Sequence, residues 1–444
     1  MPTPTDYAYA NRTASSMPAP ELLIRSIFAI GLVFMPGAFT IRFVDGAAGQ
    51  TFLQAVTFGA GAFGILMILS SREVASTVIR YRPLLGLIAL AFASASWSIY
   101  SGITIKRIFT LLCLTAFGAA LAGCLPQLAR IRFIVRILVV VCVLSLVRVL
   151  AVPQEGIHGL RSFNGGPPVQ FAHTGKWRGI FSHKQGLGLY YGLTTGLLLY
   201  YRTMIFSRLV WLLAIICSSI CLWESQSATG SLTIIVTAGV LYYAHWISHR
   251  PPQQRAAMLV IFALVLLAIC LMYSFGLFDL FIVHVLGRST DLTGRTDYWA
   301  LAQQSIVASD RGLLGAGFAT SYGTLIIPNV SWDNGYAGQI LEFGYGGSAI
   351  VFTLYGWIFM SGARLIIRTL GKDALVNNFP FSVMLVLLFV NISQSNFMMK
   401  HLSSVLIPVA CYLIFQSRAA LRSSLKINGT PICGPSGRRL SGTQ

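Results

Sequence analysis

Acidic side chains are scarce in this sequence: 13 Asp and Glu stand against 32 Lys and Arg, and charged residues make up only 10% of the chain. A soluble domain carries about 25% charged residues, so this inventory excludes an ordinary water-facing surface. Ten-residue segments of alternating apolar and polar residues are also missing, which argues against an outer-membrane barrel. The cysteines, Cys113, Cys124, Cys142, Cys217, Cys221, Cys270, Cys411 and Cys433, lie in apolar runs, at their ends or in the C-terminal tail. None falls in the long polar connections, so no disulfide framework is implied. No CxxC pair or His/Cys cluster has metal-ligand spacing, and no cofactor is expected. The first 20 residues lack a short apolar core followed by a cleavage site, and a cytoplasmic tail is expected there.

What the chain has in excess is apolar sequence, 55% hydrophobic residues with a mean hydropathy of +0.71. The apolar residues come in runs of about 18 to 22, enough to cross roughly 30 Å of hydrocarbon as a helix. The expected fold is all-α, a polytopic membrane bundle of about 12 helices. The expected spans are 22–41, 51–70, 83–100, 105–123, 133–151, 180–200, 207–223, 230–247, 256–275, 339–360, 381–398 and 402–417. Residues 1–21 and the basic segment 418–444 then form cytoplasmic tails around one transmembrane domain, 22–417. Alternate connections carry the basic residues: Arg72, Arg80 and Arg82, then Arg130 and Arg132, Arg202 and Arg208, Arg250 and Arg255, and finally Arg364, Arg368 and Lys372. That alternation fits a bacterial inner-membrane protein with both ends in the cytoplasm. The formal charge of +19 is dispersed through these short connections and forms no single patch, so no nucleic-acid partner is expected. Two connections expected on the periplasmic side are long, about 152–179 and 276–338, and Asp297 to Val307 in the second has the pattern of an amphipathic helix.

The outer face should be poor in Lys and Arg, so the basic residues expected there need a reason. They are Lys106, Arg107, Arg148, Lys176, Arg178, Lys184, Arg288, Arg295, Arg311 and Lys400. Isolated ones such as Lys400 suit snorkelling to lipid phosphates. Arg178, Arg288 and Arg295 lie instead in glycine-flanked motifs, where guanidinium groups suit bidentate binding of phosphate oxygens. Glu224, on a short turn, is a candidate contact for sugar hydroxyls, and Trp299 or Trp332 a candidate stacking surface. Glu342 is expected to face the bundle, because a carboxylate facing lipid is costly. His158 and His173 are expected to be solvated loop residues, and His245 and His249 lie at the opposite end of a span.

Four of these motifs carry a family resemblance. The stretch from Trp177 to Gly188, with Arg178, Gly179, His183, Lys184 and Gln185, resembles the W-R-G-I-F-x-H-K-N-x-L-G signature of exopolysaccharide polymerases. These belong to the O-antigen ligase/polymerase (Wzy-type) superfamily. Leu286-Gly287-Arg288 and Leu292-Thr293-Gly294-Arg295-Thr296 with Trp299 resemble the family's L-G-R…L-T-G-R-T…W segment. Gly315-Ala316-Gly317-Phe318 resembles its G-x-G-F turn, and Asp333-Asn334-Gly335-Tyr336 its H-N-G-Y segment. The resemblance covers roughly residues 90 to 415. It implies a GT-C-like, metal-independent glycosyltransferase that moves a glycan from an undecaprenyl-pyrophosphate carrier to an acceptor hydroxyl at the periplasmic face. The partners it implies are the undecaprenyl-pyrophosphate-linked oligosaccharide and membrane lipid, with a chain-length regulator protein as a candidate.

On that reading Arg178, Arg288 and Arg295, backed by Lys184 and Arg107, are the candidates for holding the pyrophosphate leaving group. Trp299, Asn334, Tyr336 and Glu224 are the candidate sugar or acceptor contacts. The sequence departs from the pattern where the family's histidine aligns with Asp333, and where Gln185 replaces an asparagine. A carboxylate can accept a proton from the acceptor, so Asp333 keeps that role as one option, with His183 and His284 as others and no strong base as a fourth. The leading expectation is a polymerase of exopolysaccharide repeat units. The rivals are a ligase with lipid A-core as acceptor and a transporter that does no chemistry. A transporter should carry ionisable groups along a path through the midplane, whereas here the unexplained charges crowd one face.

Overall fold

The structure is a computed structural model that describes residues 19–34, 47–158, 174–181, 183–274, 304, 311–320, 334–368, 374–392, 397–398 and 406–417. Its helices are α1 (Ala19–Phe34), α2 (Ala47–Ser70), α3 (Arg72–Arg80), α4 (Arg82–Ser94), α5 (Ser101–Cys124), α6 (Gln127–Ala151) and the short α7 (Pro153–Gly156). They continue with α8 (Lys184–Ile205), α9 (Arg208–Ser225), α10 (Ala228–Ser248), α11 (Pro252–Ser274), α12 (Gly335–Arg368), α13 (Ala374–Val390) and α14 (Leu406–Ser417). Each apolar run marked in the sequence overlaps one of these helices among the described residues. Five of them, α5, α6, α9, α10 and α12, are long and apolar enough to cross a bilayer. Among the described residues there is no strand, only an isolated antiparallel bridge between Ile157 and Trp177. This is the make-up of a helical, multi-pass membrane protein, in which helices satisfy their own backbone hydrogen bonds without water.

Three features depart from the expected spans. The connection after α2 holds an extra helix, α3, with arginine at both ends. The run expected at 83–100 stops being helical at Ser94, and the chain from Ala95 to Tyr100 turns to receive another segment. The helix expected at 339–360 runs from Gly335 to Arg368 and is broken at Gly344, where φ is 63° and ψ is −173°.

The broken helix and the early stop belong together. Residues 311–320 wedge between the break and the α4–α5 turn. The N–H groups of Tyr345 and Gly346, freed by the break, donate to Gly312 O (2.8 Å) and Leu313 O (3.1 Å). In return Ala316 N and Gly317 N donate to Leu341 O (2.9 Å) and Glu342 O (2.8 Å). On the other side Ile99 N donates to Ala316 O, Trp97 Nε1 to Leu314 O and Phe318 N to Ser94 Oγ, while Thr104 Oγ1 donates to Phe318 O. Irregular backbone at membrane depth is tolerated where protein covers it, and this segment meets that condition with both half-helices paired. Gly315 and Gly317 have positive φ, 69° and 104°, which leaves the G-x-G-F turn dependent on glycine. Glu342 is buried beside the wedge, 3.4 Å from Gln339 Nε2, and faces the bundle as expected.

α8 packs on α10 through a seam of small residues. Gly188, Gly192 and Gly196 recur every four residues on α8 and meet Ser227, Gly230, Thr233 and Thr237. A Cβ on Gly192 would overlap Gly230 O, so the two backbones are close to direct contact. Such small-residue seams hold membrane helices together where lipid removes the hydrophobic drive between them.

The hydrogen bonds also fix which helix ends share a side. At one end Trp177 N, just before α8, donates to Glu224 O in the last turn of α9 (3.1 Å), and Gly335 N at the start of α12 donates to Asn391 O beyond α13 (2.8 Å). At the other end Arg255 near the start of α11 donates to Ile366 O and Ile367 O in the last turn of α12, and Tyr201 Oη donates to Leu375 O. The α6–α8 connection, the α9–α10 turn, the 311–320 wedge and the start of α12 therefore gather at one end of an alternating bundle.

Candidate functional site

Among the described residues at that end, charged side chains gather where α6 finishes and α8 begins. Arg148 is in the last turn of α6, and its Nη2 is 2.8 Å from Glu155 Oε2. Glu155 belongs to α7, started by Pro153 at its first turn. The main-chain carbonyl of the same Glu155 accepts Arg178 Nε at 2.8 Å. The backbone of the signature segment is laid against α7 as well: Arg178 N and Gly179 N both donate to Gly156 O (2.8 and 2.9 Å), and His158 N donates to Lys176 O (2.9 Å). Gly179, at φ 57°, lets this crossing happen, since a Cβ there would come within 2.6 Å of Ser145 Cβ on α6. Arg178 and Arg148 are thereby brought to opposite groups of a single residue, and both are buried.

Two histidines cap the start of α8. His183 is the N-cap, its Nδ1 accepting Gln185 N–H at 3.2 Å, and His158 Nε2 accepts Lys184 N–H at 3.1 Å. The rings meet edge to face with centroids 5.3 Å apart. An imidazole nitrogen that accepts a hydrogen bond carries no proton, so neutral His183 is protonated on Nε2 and neutral His158 on Nδ1. The positive end of the α8 dipole and the Lys184 ammonium add to the charge of Arg148, Arg178 and Lys176. The carboxylate of Glu155 lies against Arg148, and Glu224, in the last turn of α9, takes Trp177 N–H on its main-chain carbonyl.

The sequence-expected residues thus divide into groups. Arg178, His183, Lys184 and Glu224 come together at the α6–α8 junction. Asn334 and Tyr336 form a separate corner. Asn334 Oδ1 accepts Tyr336 N–H (2.8 Å) and Ala337 N–H (3.2 Å) as a helix cap for α12, and Tyr336 Oη donates to Leu388 O (2.9 Å). Gly335 between them is in close contact with Asn391, which explains a glycine there without appeal to substrate. An Asn334→Ala variant is expected to lose about 1 kcal/mol of stability with the cap, read as a lower thermal midpoint in detergent. Arg107 lies one turn beyond Thr104 on α5, next to the wedge, and is half-buried. Arg288, Arg295, Trp299 and Asp333 lie outside the described residues, as do His284 and the amphipathic pattern at 297–307.

Sequence reading missed Arg148, Glu155 and His158 as parts of the site. In sequence Arg148 is one of several basic residues expected on the outer face, and His158 is a loop residue expected to be solvated. The one available signal was a carboxylate seven residues after a buried arginine, and only the fold shows that the pair closes on Arg178. Among the described residues no three His, Cys, Asp or Glu side chains stand close enough to hold a metal ion. The chain matches no known family model, and no curated protein matches it.

Proposed function

We propose that this protein is a glycosyltransferase of the inner membrane that polymerises undecaprenyl-pyrophosphate-linked oligosaccharide repeat units into exopolysaccharide. The chain crosses the membrane twelve times with both termini in the cytoplasm, and the end bearing the α6–α8 junction faces the periplasm. The observation that carries the reading is that junction: Arg148 and Arg178 are both held by Glu155 beside the start of α8, with the main chains of Lys176, Lys184 and Glu224 hydrogen-bonded into the same corner. The four motifs that resemble exopolysaccharide polymerases supply the reaction, and the first of them runs through this junction.

The chemistry follows from the leaving group. As the anomeric carbon separates from the carrier, negative charge grows on pyrophosphate, and fixed cations already in place stabilise it without reorganising. Arg178, tethered through Nε to a main-chain carbonyl, keeps its terminal nitrogens directed by that tether. Lys184 adds a point charge at the helix start, and His183 beside it helps to orient the acceptor hydroxyl. Arg288 and Arg295 complete the pyrophosphate set, and Asp333 takes the proton of the attacking hydroxyl. Trp299, Asn334, Tyr336 and Glu224 contact sugar.

Purified protein in detergent, given labelled lipid-linked repeats, tests the proposal in the absence of a second compartment. Longer glycans are expected, and a preparation that is folded yet yields none would remove the enzyme reading. A deletion strain separates polymerase from ligase, because loss of a polymerase abolishes long exopolysaccharide and leaves lipopolysaccharide banding intact.

A further inference from the structure

Arg148 takes no named part in the step above, yet its setting is unusual. Its side chain is 7% exposed and that of Glu155, its ion-pair partner, is 24% exposed. The carboxylate is the more accessible partner, so an anion arriving from water meets Glu155 before it meets the guanidinium. Glu155 also holds Arg178, by a different group. The carbonyl that takes Arg178 Nε is fixed by the backbone of α7, whereas the carboxylate that takes Arg148 ends a side chain with rotatable bonds. One attachment is permanent and the other can be exchanged. Carboxylate and phosphate oxygens meet an arginine fork in the same way, so a phosphate group can replace the carboxylate on Arg148 with its hydrogen bonds kept. The group charges favour that exchange. Arg148, Lys176, Arg178 and Lys184 outnumber Glu155 and Glu224 by two, and a multiply charged anion balances that surplus better than one carboxylate.

We infer that the Glu155 carboxylate is a place-holder for the ligand's phosphate, and that Arg148 is a further ligand-binding cation latched by Glu155 until a diphosphate group displaces it. The inference rests on reading the α6–α8 junction as a diphosphate site. Binding then turns Glu155 outward and hands Arg148 to the ligand, so the buried guanidinium has an anionic partner in both states. An ion pair of this kind avoids the cost of a buried charge left alone while the site is empty.

The test is binding of inorganic pyrophosphate and of farnesyl pyrophosphate to the full-length protein in detergent, by titration calorimetry, with the thermal midpoint measured on each variant. Glu155→Gln is nearly isosteric, leaves the carbonyl tether of Arg178 intact and removes one negative charge. It is expected to bind both ligands about tenfold more tightly, the scale of a single charge in a half-buried site. Arg148→Gln is expected to bind about tenfold more weakly, and adding Glu155→Gln to it to recover less than about threefold, because the latch has nothing left to release. Tighter binding of farnesyl pyrophosphate than of free pyrophosphate assigns the diphosphate to a lipid carrier, and the reverse to a soluble anion. If Arg148→Gln does not fold, Glu155→Gln decides alone: unchanged or weaker binding makes Glu155 a plain structural support and overturns the latch. Wild-type protein that binds neither ligand overturns the diphosphate site and the latch with it. Wild-type binding that Arg178→Lys weakens, but Glu155→Gln fails to strengthen, overturns the latch alone.

Discussion

Gly344→Ala is expected to cost roughly 3 to 5 kcal/mol and to leave little folded protein after extraction. The loss has two sources. With φ at 63° and ψ at −173°, Gly344 lies in a region of backbone space that residues with a Cβ essentially do not occupy. The new methyl would also overlap the main chain of Leu313, at the point where residues 311–320 enter the break. Backbone cannot step aside as a flexible side chain can. Either the two halves of α12 join into a continuous helix and expel the wedge, or the wedge stays and the strain remains. The first outcome strips partners from Ala316 N, Gly317 N, Ile99 N and Trp97 Nε1 at once. Folded yield by size-exclusion chromatography, with the thermal midpoint of what remains, measures the effect. Gly356, which has open space around the position of a Cβ, supplies the control: Gly356→Ala is expected to be tolerated.

The second large effect is on activity. Arg178→Ala is expected to lower the rate of glycan elongation by about 10²- to 10³-fold, the scale seen when a preorganised group facing transition-state charge is removed. Arg178→Lys should recover only a minor part. Lysine keeps the charge but has no Nε to hold against Glu155 O, and its ammonium lacks the planar fork that fits a phosphate. Elongation measured at saturating donor separates this from weakened binding, since a group that acts on the departing pyrophosphate lowers the maximal rate. Rates of Arg178→Ala within a factor of two of wild type would contradict the role given to it.

The sequence announces the helices because each apolar run is long, continuous and bounded by polar or basic residues. Lipid makes the same demand of every run, so hydropathy alone carries that part of the fold. The break at Gly344 is harder to read. It lies near the start of a run that reads as a single span, and the glycines of Phe343-Gly344-Tyr345-Gly346-Gly347 are equally suited to close helix packing. What distinguishes them is a partner segment more than twenty residues earlier, the G-x-G-F turn, and nothing local links the two. The site divides along the same line. Arg178, His183 and Lys184 are adjacent in sequence and were visible as one motif. Arg148, Glu155 and His158 reach that motif across a connection, through backbone hydrogen bonds to Gly156 and Lys176 that no periodicity foretells. Asn334 and Tyr336 show the converse: a motif with a plausible ligand role also has a local structural role, as cap and tether of α12.

The glycine seam between α8 and α10 has a bearing on how accurately the basic junction can be held. Most helix contacts are cushioned by side chains that change rotamer when one helix shifts, and the shift dies out within a turn. At Gly188 and Gly192 there is no such cushion, because their main chain rests almost on that of Gly230. Displacing the start of α8 relative to α10 would mean separating two backbones along several turns at once. Lys184 and the His183 cap therefore start from a stretch of backbone with almost no mechanical slack.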